Sequence, residues 1–139
     1  MEYKRFDNTY MVRFDLNEEI MQGLLSLCEK ENLHLAEVNA IGAINRGTVG
    51  VYDLEKQAYR QEELEGFMEI TSLSGNVTAL NGKSYIHLHA VTADQNHKVH
   101  AGHVISLTVG ATCEMFIHVL DGSVTRERNE ELGINLWKF

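Results

Sequence analysis

His87 and His89 lie one residue apart in Tyr85-Ile86-His87-Leu88-His89-Ala90, and His103 follows in Ala101-Gly102-His103-Val104. Alternate residues of a strand share a face, so the first two imidazoles project together, roughly 6–7 Å apart at about 3.3 Å rise per residue. Ile86 and Leu88 then point the other way, giving a strand with one apolar face and one imidazole-bearing face. A third imidazole from the next strand would let three neutral nitrogens converge on a divalent metal. Zinc is the first candidate, because three imidazoles leave its fourth position open. Nickel or another transition metal also suits such ligands. A metal with an open position can activate water near neutral pH, which is the chemical basis of an enzymatic reading. Glu69, Ser74, Asn76 and Arg126 are the candidates to support the ligands from behind with hydrogen bonds. Glu69 reads equally well as an ordinary strand carboxylate paired with Arg126 or Arg13.

The elements that must position these residues follow from periodicity and turn chemistry. Asn81-Gly82 between two β-rich runs, Gly66–Leu80 and Lys83–Ala93, predicts a hairpin with a type I′ turn. A two-residue loop pairs Leu80 with Lys83, Asn76 with His87 and Ser74 with His89. That register puts Ser74, Asn76, Thr78, Tyr85, His87 and His89 on one face, and Leu73, Val77, Ala79, Ile86 and Leu88 on the other. Gly75 is a candidate bulge that would shift what precedes it. A turn at Asp94–His97 leads to a strand from Val99. If three residues form the loop, His89 lies opposite His103; a slip of one residue turns His103 away. His100 faces the opposite side from His103 and is the poorer ligand. His34 and His118 read as surface or packing residues.

Elsewhere, alternation predicts a strand over Thr9–Leu16, and a wide apolar stripe predicts a helix from Ile20 toward Asn32. Asp15 with Glu18 suggests a capping box at its start, and Asn32 suits a left-handed C-terminal position. Leu35–Ile44 and Thr48–Leu54 read as strands separated by a turn at Asn45-Arg46-Gly47, with a bulge at Gly42. Ala58–Glu62 reads as an edge strand. Val99–Val109 and Ala111–Leu120 read as two further strands, and Ser123–Glu127 and Asn135–Phe139 as closing ones. Trp137 and Phe139 are expected to seal the core or a subunit interface. The expected class is α+β, a single mostly antiparallel sheet packed with one main α-helix.

At 139 residues the chain is expected to form one domain, residues 1–139. No apolar run approaches the ~18 residues of a membrane span. Met1-Glu2-Tyr3-Lys4-Arg5 lacks a secretory layout, so the expected location is cytoplasmic. Cys28 and Cys113, the only cysteines, are read as small buried hydrophobes. A net charge of −8 with scattered basic residues disfavours nucleic acid, which is gripped chiefly by Lys and Arg on phosphates. With no proline, an AT-hook cannot be present.

Several runs together resemble the PPC domain, conserved in plants and prokaryotes. They are Ile41-Gly42-Ala43, Gly66-Phe67-Met68-Glu69-Ile70, Ser72-Leu73-Ser74-Gly75, Gly82-Lys83 with His87-Leu88-His89, Gly102-His103, and Thr125-Arg126-Glu127 with Gly133. The resemblance spans nearly the whole chain. It implies the α+β fold, assembly into a homotrimer, and histidines at His87, His89 and His103 that hold a metal. Ala101, where a glycine is usual, and His97, at a turn position often taken by glycine, are departures. The resemblance carries a DNA-binding label, so DNA is an implied partner that the charge disfavours. Two functions follow. One is a trimeric regulatory or interaction module with a three-histidine metal site. The other is a small metal-dependent enzyme or small-molecule binder with its site at the subunit interface.

Overall fold

Strand alternation dominates the chain, and about 69% of residues are strand. The structure, a computed structural model, describes residues 1–139. The elements are β1 (Glu2–Phe6), β2 (Thr9–Phe14), α1 (Ile20–Glu31), β3 (Ala36–Asp53), β4 (Ala58–Leu80), β5 (Lys83–Asp94), β6 (Val99–Val119), β7 (Thr125–Asn129) and β8 (Ile134–Lys138). The sheet runs β1-β2-β6-β3-β4-β7-β8, with β5 pairing both β4 and β6. Strands β3, β4, β5 and β6 therefore form a closed circuit of antiparallel pairings. Only the single bridge Ala79–Thr125 between β4 and β7 is parallel. With one 12-residue helix against this sheet, the class is mostly β. The mostly antiparallel sheet with one helix is as expected for the α+β reading, though the helix is small.

Three long strands replace the shorter ones expected from punctuation. The turn expected at residues 45–47 is instead an irregularity within β3, whose register shifts between Ile44 and Arg46. The bulge expected at Gly42 is present, with register shifts on either side of it. The two strands expected on either side of Gly110 are one, β6. A Cβ at Gly110 would come within 2.5 Å of the Ile44 carbonyl carbon, so this glycine marks close approach of two strands rather than a turn.

The helix ends as its sequence predicts, with Asn32 left-handed at φ 55°. Its start differs. Glu19, not Asp15, is the N-cap, and its carboxylate accepts from the Gln22 backbone N–H. Asn17, at φ 68°, turns the chain between Asp15 and the helix. The helix buries Ile20, Leu24, Leu27 and Cys28 in the core. Both cysteines are buried and free, and burial pushes each thiol up to about 12. Trp137 and Phe139 do not seal the core; they are 50% and 97% exposed and pack on each other. No helix is long and apolar enough to cross a membrane.

Candidate metal centre

Two turns set the register on which the histidines meet. Asn81 and Gly82 both have positive φ (52° and 77°), as a type I′ turn requires. The β4–β5 pairs are Leu80–Lys83, Asn76–His87 and Ser74–His89, the register read from the hairpin signal. The β4–β5 bulge falls between Ile70 and Ser72, beyond the site, rather than at Gly75. Gly75 serves another purpose, since a Cβ there would sit 1.9 Å from the His87 carbonyl oxygen. At the second turn, the Asp94 carboxylate accepts from the backbone N–H groups of Asn96 and Lys98, and the Asp94 N–H donates to the Lys98 carbonyl. His97 there has φ 61°, a conformation that explains why glycine suits the position. The result pairs His89 with His103.

The three rings come together. His87 Nε2 and His89 Nε2 are 3.2 Å apart, and one nitrogen from each of the three histidines lies within 4.8 Å of the others. Ring centroids are separated by 5.0–5.5 Å. Tetrahedral zinc with bonds of 2.0–2.1 Å would separate its nitrogen ligands by about 3.3 Å. His103 Nδ1 is buried without a hydrogen-bond partner. Burial holds the His103 imidazole down at about 4, with His87 and His89 adding to the effect. Burial also lowers His87, followed by the influence of His89 and then Arg126. His87 and His103 are therefore neutral at pH 7, the form that ligates metals. The donor set fits a divalent cation.

Tyr59 on β4 stacks on the His103 ring, with centroids 4.6 Å apart and planes 19° from parallel. Gly50 of β3, the register neighbour of His103, makes room; its Cβ would meet the Tyr59 ring at 3.0 Å. Tyr59 carries no spacing signal, because it sits on the half of β4 far from the hairpin. Ser74 and Asn76 lie opposite His89 and His87, but Asn76 Oδ1 accepts from Arg126. Glu69 is elsewhere: it pairs with Ala43 and Ala93 and lines a groove with Ile41 and Glu114. It pairs with neither Arg126 nor Arg13, whose carboxylate partners are Glu2 and Asp15. His100 Nδ1 lies 2.8 Å from Glu62, away from the triad. His34 and His118 bond Asn32 and Thr9.

The Plants and Prokaryotes Conserved (PCC) domain matches residues 1–121. The chain belongs to this family. Among solved structures it superposes on a metal-containing protein from Archaeoglobus fulgidus, 32% identical, with TM-score 0.89, covering 99% of this chain and 97% of that one. A Pyrococcus horikoshii plant- and prokaryote-conserved protein is 26% identical, TM-score 0.87, covering 99% and 94%. A Bacteroides thetaiotaomicron protein named a "putative DNA binding protein" is 28% identical, TM-score 0.96, covering 99% and 96%. No curated protein matches. The resemblance of the sequence to the PCC (PPC) family thus holds over most of the chain.

Proposed function

We propose that this PCC-domain chain is a homotrimeric, metal-holding regulatory or interaction module in which His87, His89 and His103 bind a divalent metal, zinc first. The observation that carries the reading is the convergence of three imidazole nitrogens within 4.8 Å, with His103 Nδ1 buried and unpartnered. The name of the Archaeoglobus relative, a metal-containing protein, agrees with it. When bound, such a metal supplies a positive centre with room for one more ligand. The chain's own residues hold His87 and His103 neutral by burial and stack Tyr59 on the His103 ring, while Arg126 donates to Asn76, the residue opposite His87.

Assembly is supported by the face on which the histidines lie. The register carries one row across the sheet as Met11, Phe116, Asn39, Ser74, His89 and His103. Met11 and Phe116 in that row are 46% and 50% exposed, and neighbouring Ile41 is 59% exposed. Exposed apolar surface of this kind, in the same row as the histidines, suits contact with further copies.

The test is elemental analysis of untagged protein, wild type against His89→Ala. Near-stoichiometric zinc in the wild type and its loss in the variant is the expected result; no metal in either sinks the reading. DNA binding is the second reading, favoured by the name of the Bacteroides relative. Against it stand the net charge of −8 and the pairing of Arg13, Arg60 and Lys138 with carboxylates. Titration against random duplex at two salt concentrations is expected to give no binding even at low salt.

A further inference from the structure

Arg126 is the cation of the site, and nothing neutralises it. Its Nε donates to Thr78 Oγ1 at 2.8 Å, one Nη to the Asn135 carbonyl at 2.8 Å and the other to Asn76 Oδ1 at 2.9 Å. The guanidinium also lies over the Tyr85 ring, 4.5 Å from its centroid. A guanidinium has five N–H donors, so one remains unspent on each terminal nitrogen. No carboxylate pairs with it, although the chain has 20 acidic residues; Glu127, next in sequence, is taken by Lys138. A strut that merely tied β7 to β4 would need hydrogen bonds but no charge. Here a half-buried charge is kept, locked on three neutral acceptors, with a planar pair of nitrogens still able to donate.

Its position matters as much as its isolation. Thr78 pairs with Tyr85 and Asn76 with His87, so Arg126 spans the row beside the histidines on the same face. The three ligand candidates are all imidazoles, with no carboxylate among them. Two positive charges of a bound divalent metal would stay uncompensated, with a third from Arg126 alongside. Such a site lacks an anion. Each terminal nitrogen of Arg126 keeps one N–H beyond the bond it already makes, and a carboxylate oxygen is the acceptor a guanidinium binds best.

Resting on the metal reading above, we propose that the site takes a small-molecule carboxylate, held by Arg126 beside the three histidines. Arg126 is then a binding residue that selects for negative charge.

The test titrates zinc-loaded protein calorimetrically with pyruvate, with pyruvamide as its neutral counterpart, and with inorganic phosphate, while zinc content is followed by elemental analysis. Pyruvate is expected to bind saturably and at least about tenfold more tightly than its amide. Arg126→Gln should weaken pyruvate by a similar factor at unchanged zinc content, and Arg126→Lys should recover part of the loss. Equal binding of acid and amide, an unaffected Arg126→Gln variant, or phosphate binding tighter than pyruvate would each overturn the proposal. If no zinc is held, the metal reading fails by itself, and the same titrations on metal-free protein decide the Arg126 assignment: binding lost in Arg126→Gln keeps it, and no binding overturns it. Should circular dichroism show Arg126→Gln unfolded, the acid-against-amide comparison in the wild type decides.

Discussion

His100 and His103 stand three residues apart on β6 and face opposite ways, and their surroundings could hardly differ more. His100 lies between carboxylates, its Nδ1 2.8 Å from Glu62 and its Nε2 3.9 Å from Asp94. Its side chain is only 9% exposed, and it ties the end of β6 to β4 and to the β5–β6 turn. His103 has imidazoles and Tyr59 around it, and its buried Nδ1 has no partner. His100 also has a buried nitrogen without a hydrogen-bond partner, its Nε2, so what separates the two histidines is the groups that surround each ring. His100 has already committed a nitrogen to a carboxylate, whereas the triad brings ring nitrogens together with no carboxylate among them.

The comparison breaks most visibly on metal uptake. His103→Ala, His87→Ala and His89→Ala are expected to lose zinc almost completely, a larger effect than the ~100-fold that loss of an outer hydrogen bond costs. His100→Ala should keep its zinc while losing about 2 kcal/mol of stability from the broken contact to Glu62. Elemental analysis beside thermal unfolding separates the two. Zinc lost equally from His100→Ala would show that the two faces are not independent.

Acid titration comes next. The folded state holds His103 near 4, below the ordinary histidine value of about 6.5. Through that window the unfolded chain binds the extra proton and the folded chain resists it, so stability falls as pH drops. It is fully present above about pH 6.5 and lost progressively toward pH 4. For a half-exposed ring the loss is on the order of 1–2 kcal/mol, after solvent screening. Urea unfolding of metal-free protein between pH 4 and 7 measures it, and His103→Gln should flatten the slope. An unchanged slope in that variant would assign the acid sensitivity to other groups.

What the sequence made legible was local. Asn81-Gly82 specified the turn, and alternation then placed His87, His89, Ser74 and Asn76 on one face with nothing left to choose. The β5–β6 loop was harder, because a one-residue slip was equally compatible with the composition. Asp94, accepting from two backbone N–H groups, settles the register in favour of His103. The long strands were not legible. Gly47 and Gly110 look like punctuation, yet each is pressed against a neighbouring strand. Tyr59 was invisible for a related reason. It reaches His103 across β3, a pairing between distant residues that no local period encodes, and it does so only because Gly50 carries no side chain.

Tyr59 gives the smallest and most discriminating prediction. Its ring covers one face of the His103 imidazole and contributes to the burial that keeps that ring neutral. Tyr59→Leu keeps an apolar contact but removes the stack, a loss of about 1 kcal/mol. If the stack orients His103 toward the other two rings, that loss is felt in metal binding, as a several-fold weaker zinc affinity in competition with a chelator. If the ring only packs against β3 and β6, the same loss is felt in unfolding and zinc affinity is unmoved. Tyr59→Phe keeps the stack and removes only the hydroxyl, so wild-type affinity in that variant, beside a weakened Tyr59→Leu, assigns the effect to the ring. Because Tyr59 touches His103 and not His100, any comparable change in the contact of His100 to Glu62 would mean the substitution had disturbed β6 as a whole, and the distinction between its two histidines with it.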